Sequence, residues 1–137
     1  MFQLMFFVMV DSCLEQHDQC LIIDCHSFPA RPLPYESDKN WVDICIGTDT
    51  YHTSTVLKNH LSTAFKAHGY DVAIDSPFSG TIVPLKHYHK DQRVESVMIE
   101  VNRSLYASPT GFKRVQCDLY HAISQAAYLR QALADLK

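Results

Sequence analysis

Two short apolar runs in this chain each end in a cluster of ionisable residues. Cys20-Leu21-Ile22-Ile23 leads into Asp24-Cys25-His26-Ser27-Phe28-Pro29, and Ser96-Val97-Met98-Ile99 leads into Glu100-Val101-Asn102-Arg103. Continuous apolar runs this short read as buried strands, and their last residues deliver polar groups to one end of a sheet. Between them, Trp41 to Ile46 reads as a second strand stopped by Gly47-Thr48-Asp49, and Asp71 to Ile74 as a short third one. A helix is expected from Ser54 to His68: Leu57, Leu61, Ala64, Phe65 and His68 share one face. Ser54 can cap its start, and Gly69 sits where a left-handed C-terminal residue belongs.

The chain opens on Met1 to Val10, nine apolar residues in ten, followed by Asp11, Glu15, His17 and Asp18. It lacks the basic start and small-residue cleavage site of a signal peptide and is too short to cross a bilayer, so a buried helix leading into the first strand is expected. Pro29 to Pro34 holds three prolines and reads as an irregular loop. Pro77 to Pro84 reads as a turn and an extended piece, and His87 to Asp91 as a polar connection. At the end, Phe112, Val115, Leu119, Ala122, Ala126, Leu129, Leu133 and Leu136 recur at three- and four-residue steps, the stripe of a long amphipathic helix that serves either core packing, the expected reading, or a partner interface. Strands and helices alternate, which predicts one α/β domain over residues 1–137 with helices on both faces of the sheet.

Composition narrows the function classes. With 47% hydrophobic and 20% charged residues the chain is globular in type, and a net charge of -3 without a Lys or Arg run argues against nucleic-acid binding. No stretch is long enough for a membrane span. Five cysteines, an odd number with no Cys-x-x-Cys spacing, fit reduced thiols and a cytoplasmic location better than a disulfide framework.

The candidate chemistry lies at the two strand ends. Residues two apart on a strand share a face, so Asp24 and His26 project together and Cys25 points away, which disfavours a Cys25–His26 nucleophile pair. His26 then reads either as a metal ligand or as a hydrogen-bonded structural histidine. Glu100, at the end of an apolar strand, reads either as a proton carrier with a pKa raised by burial or as a carboxylate paired with Arg103. Arg103 can grip a substrate carboxylate, and Asn102 can donate to an oxyanion or amide oxygen. His52 precedes a helix and is either a substrate contact or part of a cap. His87 and His89 share a face if extended, as metal ligands do, though such a pair on a polar loop is ordinarily solvated. Ser79-Gly80-Thr81 holds one of only four glycines, a hint of special dihedrals or of close ligand approach.

Taken together, Leu21 to Pro29, Asp43 to Asp49, Pro77 to Pro84 and Ser96 to Tyr106 resemble, in order, the motifs of the N-formylglutamate amidohydrolase family, itself similar to zinc carboxypeptidases and aspartoacylases. The resemblance runs from about Cys13 to the end of the last helix and corresponds to the C-terminal half of family members. It implies a three-layer α/β/α fold with a mixed sheet, of zinc-carboxypeptidase/aspartoacylase (phosphorylase/hydrolase-like) type and truncated at the N-terminus. It further implies His26 as the later of two zinc histidines and Glu100 as general acid/base. Arg103, Asn102 and Ser79-Gly80-Thr81 become substrate contacts. The implied reaction is zinc-dependent hydrolysis of N-formyl-L-glutamate to formate and glutamate, a step of histidine breakdown. The family's first zinc histidine and its zinc carboxylate belong to an earlier segment, whereas before His26 this chain has only His17, followed by Asp18. A second copy, or a complementing N-terminal half, is therefore an expected partner beside the N-acyl amino acid substrate. The other reading is a non-catalytic protein that holds a small carboxylate on the same loops.

Overall fold

The computed structural model describes residues 2–32 and 41–134. Its elements in order are α1 (Phe2–His17), β1 (Cys20–Phe28), β2 (Ile44–Gly47), α2 (Thr55–Ala67), β3 (Val72–Ile74), β4 (Val94–Asn102), a 3-10 turn (Arg103–Tyr106) and α3 (Pro109–Ala134). The two apolar runs become the two nine-residue strands, which pair in parallel from Cys20 opposite Val94 to Phe28 opposite Asn102. β4 pairs antiparallel with β2, which pairs parallel with β3, so the mixed sheet has the order β1-β4-β2-β3. β1 is an edge strand.

Side-chain alternation divides the sheet into two faces. On one, Ile44, Ile46, Val97, Ile99 and Val101 pack against Leu57, Leu61 and Phe65 of α2 and Val115, Ala122 and Ala126 of α3. On the other, Cys20, Ile22 and Val94 pack against Val10 and Leu14 of α1. Helix, sheet and helices thus form three layers, as expected. Each large aliphatic or aromatic side chain fully buried in them stabilises the fold by about 1.5–3 kcal/mol. The rest of the α1 face is covered by the segment after β3, which lies across Cys45, Gly47 and Ser96. Phe78 O accepts from Cys45 Sγ (3.1 Å), and Ser96 Oγ donates to Ile82 O (2.8 Å).

α2 follows its sequence signals: Ser54 accepts from the Leu57 N–H, and Gly69 adopts φ +84°. His68, expected on the apolar face, is the exposed C-cap instead, its ring set beside the Asp118 carboxylate of α3 (3.1 Å), a polar partner rather than the core. α1 departs from expectation in length and burial. It continues to His17, and Met5, Val8 and Met9 are exposed, because this helix touches the sheet along one narrow stripe only. The second strand starts at Ile44 rather than Trp41. In α3, Phe112 and Leu133 are exposed and Asp118 is buried, where its carboxylate accepts from Tyr70 Oη (2.7 Å). Part of the proline-rich loop and Leu136 lie outside the described residues.

Candidate active site

Parallel pairing places His26 directly opposite Glu100, and antiparallel pairing places Cys45 on the other side of Glu100. All three side chains share the face that carries Cys20, Ile22 and Val94, at the end of the sheet where β1 and β4 finish. The even numbering of Asp24 and His26 puts both there as well. His26 Nε2 and Asp24 Oδ1 lie 2.7 Å apart, with the His26 side chain half exposed and that of Asp24 mostly covered.

Glu100 projects from a strand whose neighbours are nearly all buried, and its Oε2 is itself buried without a hydrogen-bond partner. Burial raises its pKa above the ordinary 4.5; the nearby positive ends of His26 and Arg103 oppose the rise and Asp24 reinforces it. A carboxyl group held this way exchanges protons closer to neutral pH than a solvated glutamate does. The ion pair between Glu100 and Arg103 that the sequence left open is not formed among the described residues. Arg103 instead donates from Nε to Ser27 Oγ (3.3 Å) and from Nη2 to Ser27 O (3.2 Å), which fixes the guanidinium over the end of β1 and leaves further N–H donors for an anion.

The other sequence candidates separate into near and far groups. Asn102 is buried and occupied: its Oδ1 accepts from Ser104 N and Oγ, starting the 3-10 turn, and its Nδ2 donates to Val42 O (3.1 Å). The carbonyl of Gly80, at φ +85°, lies close to Gly47, whose partner on β4 is Met98, two residues from Glu100. A Cβ on Gly47 would meet the Gly80 carbonyl oxygen, so glycine at 47 is what lets the Ser79-Gly80-Thr81 loop lie on the sheet. Thr81 sits farther back, its Oγ1 2.7 Å from Ser96 Oγ. That hydroxyl holds the loop to β4.

His52, His87 and His89 do not converge on the site. His52 is fully buried, with Nδ1 donating to Val94 O and Nε2 accepting from the His89 N–H (2.8 Å each). His87 is buried beside Asp11 (2.7 Å) and ties α1 to the connection before β4, while His89 pairs with Asp49 (3.1 Å). Sequence reasoning put Asp24 on the His26 face without giving it a task, and it did not find Ser27 under Arg103. The i, i+2 spacing of Asp24 and His26 was the available signal for the first. Nothing local signals the second, because Arg103 lies 76 residues away. Across the strand ends toward α3, an open, largely apolar cleft lined by Cys25, Ile99, Val101, Tyr106 and Phe112 also borders His26 and Ser27, whereas Glu100 is not part of its lining.

A catalytic zinc takes three protein ligands, and among the described residues no three His, Cys, Asp or Glu side chains come together as a metal site. His26 fits one position of such a site. The donor set here does not complete it.

A mixed sheet in three layers, with a partly buried carboxyl, an imidazole and a guanidinium at its strand ends, defines a three-layer α/β domain with an ionisable cluster at one end of the sheet. This chain belongs to the N-formylglutamate amidohydrolase family, whose model matches residues 7–107. Its fold is similar to the crystal structure of N-formylglutamate amidohydrolase from Ralstonia eutropha, at 22% identity and a TM-score of 0.70, over 90% of this chain and 48% of that one. It is also similar to the structure of a gene product from Agrobacterium tumefaciens, at 14% identity and a TM-score of 0.64, over 99% of this chain and 49% of that one. The chain thus spans about half the length of the solved structures it matches. No curated protein matches it.

Proposed function

We propose that this chain carries the proton-transfer and anion-binding side of a deformylase-type amide hydrolase acting on N-formyl-L-glutamate. The observation that supports it most is Glu100: a carboxyl raised in pKa, with one buried oxygen unpartnered, directly across from a half-exposed histidine. In this reading Glu100 accepts a proton from the attacking water and passes it to the departing amine, so that water and the formyl amide become formate and glutamate. Arg103, steadied by Ser27, receives a carboxylate of the substrate through its remaining donors, and the Ser79-Gly80 loop borders the same face of the sheet. Zinc is the cofactor proposed for the complete site, with His26 as the ligand this chain contributes. The remaining donors are not among the described residues. Completion by a second copy or by an N-terminal half is part of the same proposal, as are the place in histidine breakdown and the cytoplasmic location.

The incomplete donor set favours one alternative, a protein that binds a small carboxylate without turning it over. Formate release from N-formyl-L-glutamate by the purified chain with zinc, beside Glu100→Gln, separates the two. Release abolished by Glu100→Gln supports the hydrolase. Binding of L-glutamate to metal-free protein, lost in Arg103→Ala and accompanied by no formate, leaves the binding reading in its place.

A further inference from the structure

The hydrolytic reading uses His26, Glu100 and Arg103 but leaves Asp24 idle, although Asp24 makes the one ring hydrogen bond of His26 among the described residues. An ionised carboxylate only accepts hydrogen bonds, so the 2.7 Å contact requires His26 to carry a proton on Nε2. In the neutral ring the lone pair then resides on Nδ1. The two residues stand on one face of one strand, and Asp24 is the better covered of the pair, with 19% of its side chain exposed against 51% for His26. The better-covered carboxylate thus offers the more exposed ring an acceptor at a fixed place on the strand.

We propose that Asp24 is the positioning residue of this site: it fixes the rotation and tautomer of His26 and makes Nδ1 the atom presented to a ligand or proton. A histidine held by a second carboxylate is oriented before anything binds, which is how such outer partners sharpen a site. The inference rests on the reading of His26 as a functional imidazole, but not on any metal.

Ring nitrogen NMR of the full chain, isotope-labelled, chelator-treated and kept at a pH where the ring is neutral, tests it directly. The expected spectrum has His26 Nε2 protonated with a proton slow to exchange, and Nδ1 unprotonated. Asp24→Asn keeps one acceptor oxygen and retains this pattern. Asp24→Ala loses the slow Nε2 proton and shows a ring averaging between tautomers. Protonation on Nδ1 in the wild type, or an Asp24→Ala ring indistinguishable from the wild type, overturns the proposal. Should Asp24→Ala fail to fold, the wild type and Asp24→Asn still decide, because an averaging ring in the unaltered chain refutes a fixed tautomer. The readout needs no turnover. A fixed ring without formate release upholds Asp24 and removes the hydrolase reading, and an averaging ring with formate release does the reverse.

Discussion

His52 and His26 are the same side chain put to opposite uses. His52 is fully buried and both ring nitrogens bond to backbone, donating to Val94 O and accepting from His89 N–H, so it ties the start of β4 to the connection before it. His26 is half exposed, with Nε2 on Asp24 and no second partner among the described residues. A ring with both nitrogens satisfied has nothing left to offer a ligand; a ring held at one nitrogen only is oriented and still available. Burial and hydrogen-bond completeness, rather than residue type, distinguish the structural histidine from the one open to a ligand.

The sharpest way to break this contrast is Glu100→Gln, which removes the ionisable carboxyl proposed to carry the proton beside His26 while keeping its shape. The expected loss of formate release is about 10²–10⁴-fold, the range for a general acid–base group, with thermal stability retained. A variant that keeps its rate would move the chemistry away from this strand end. Next in size, His52→Ala strands a carbonyl and an N–H inside the protein and opens a cavity, for an expected destabilisation of about 2–4 kcal/mol in denaturant unfolding. His26→Ala should stay within about 0.5 kcal/mol of the parent in the same measurement, as exposed positions do. Equal losses at the two histidines would erase the distinction drawn here.

Gly47→Ala should cost about 1–3 kcal/mol by pushing the Gly80 carbonyl off the sheet, and should lower activity through the displaced loop. Acid–base linkage gives a smaller and signed effect. Glu100 has a folded pKa above its ordinary 4.5, so between the two values the native state binds the extra proton. Stability attributable to Glu100 is complete below 4.5 and declines as pH rises through the folded value; in Glu100→Gln that decline disappears from the difference curve. Asp91 behaves oppositely. The Arg93 guanidinium holds it down to about 2, so its contribution is present above the ordinary 3.8 and is lost as pH falls toward 2. Smallest of all, Lys86→Ala removes an exposed, salt-screened ion pair with Asp11 and should leave the unfolding midpoint nearly unchanged, with any shift visible only at low salt.

Much of this was written into local sequence, and for identifiable reasons. The runs before Asp24 and before Glu100 are apolar without interruption, which only a doubly covered strand accommodates, so both strands and the residues at their ends were legible. Ser54 and Gly69 marked α2 because capping chemistry acts over three or four residues. The period-two rule put Asp24 and His26 on one face. Reach limited the rest: the first half of α1 is almost entirely apolar in sequence, yet only the tertiary contact chooses which of its faces is covered, and Met5, Val8 and Met9 are not on it.

The sequence by itself determined the α/β class, the family motifs and which side chains stand at the strand ends, since each depends on residues near one another along the chain. Only the tertiary structure decided what those side chains do. Strand register, a property of two segments more than seventy residues apart, set His26 opposite Glu100 and Ser27 beneath Arg103. Long-range packing likewise engaged the Asn102 Nδ2 with the Val42 carbonyl and both nitrogens of His52 with backbone. A side chain's chemistry is local, but its availability depends on which partners the fold brings to it.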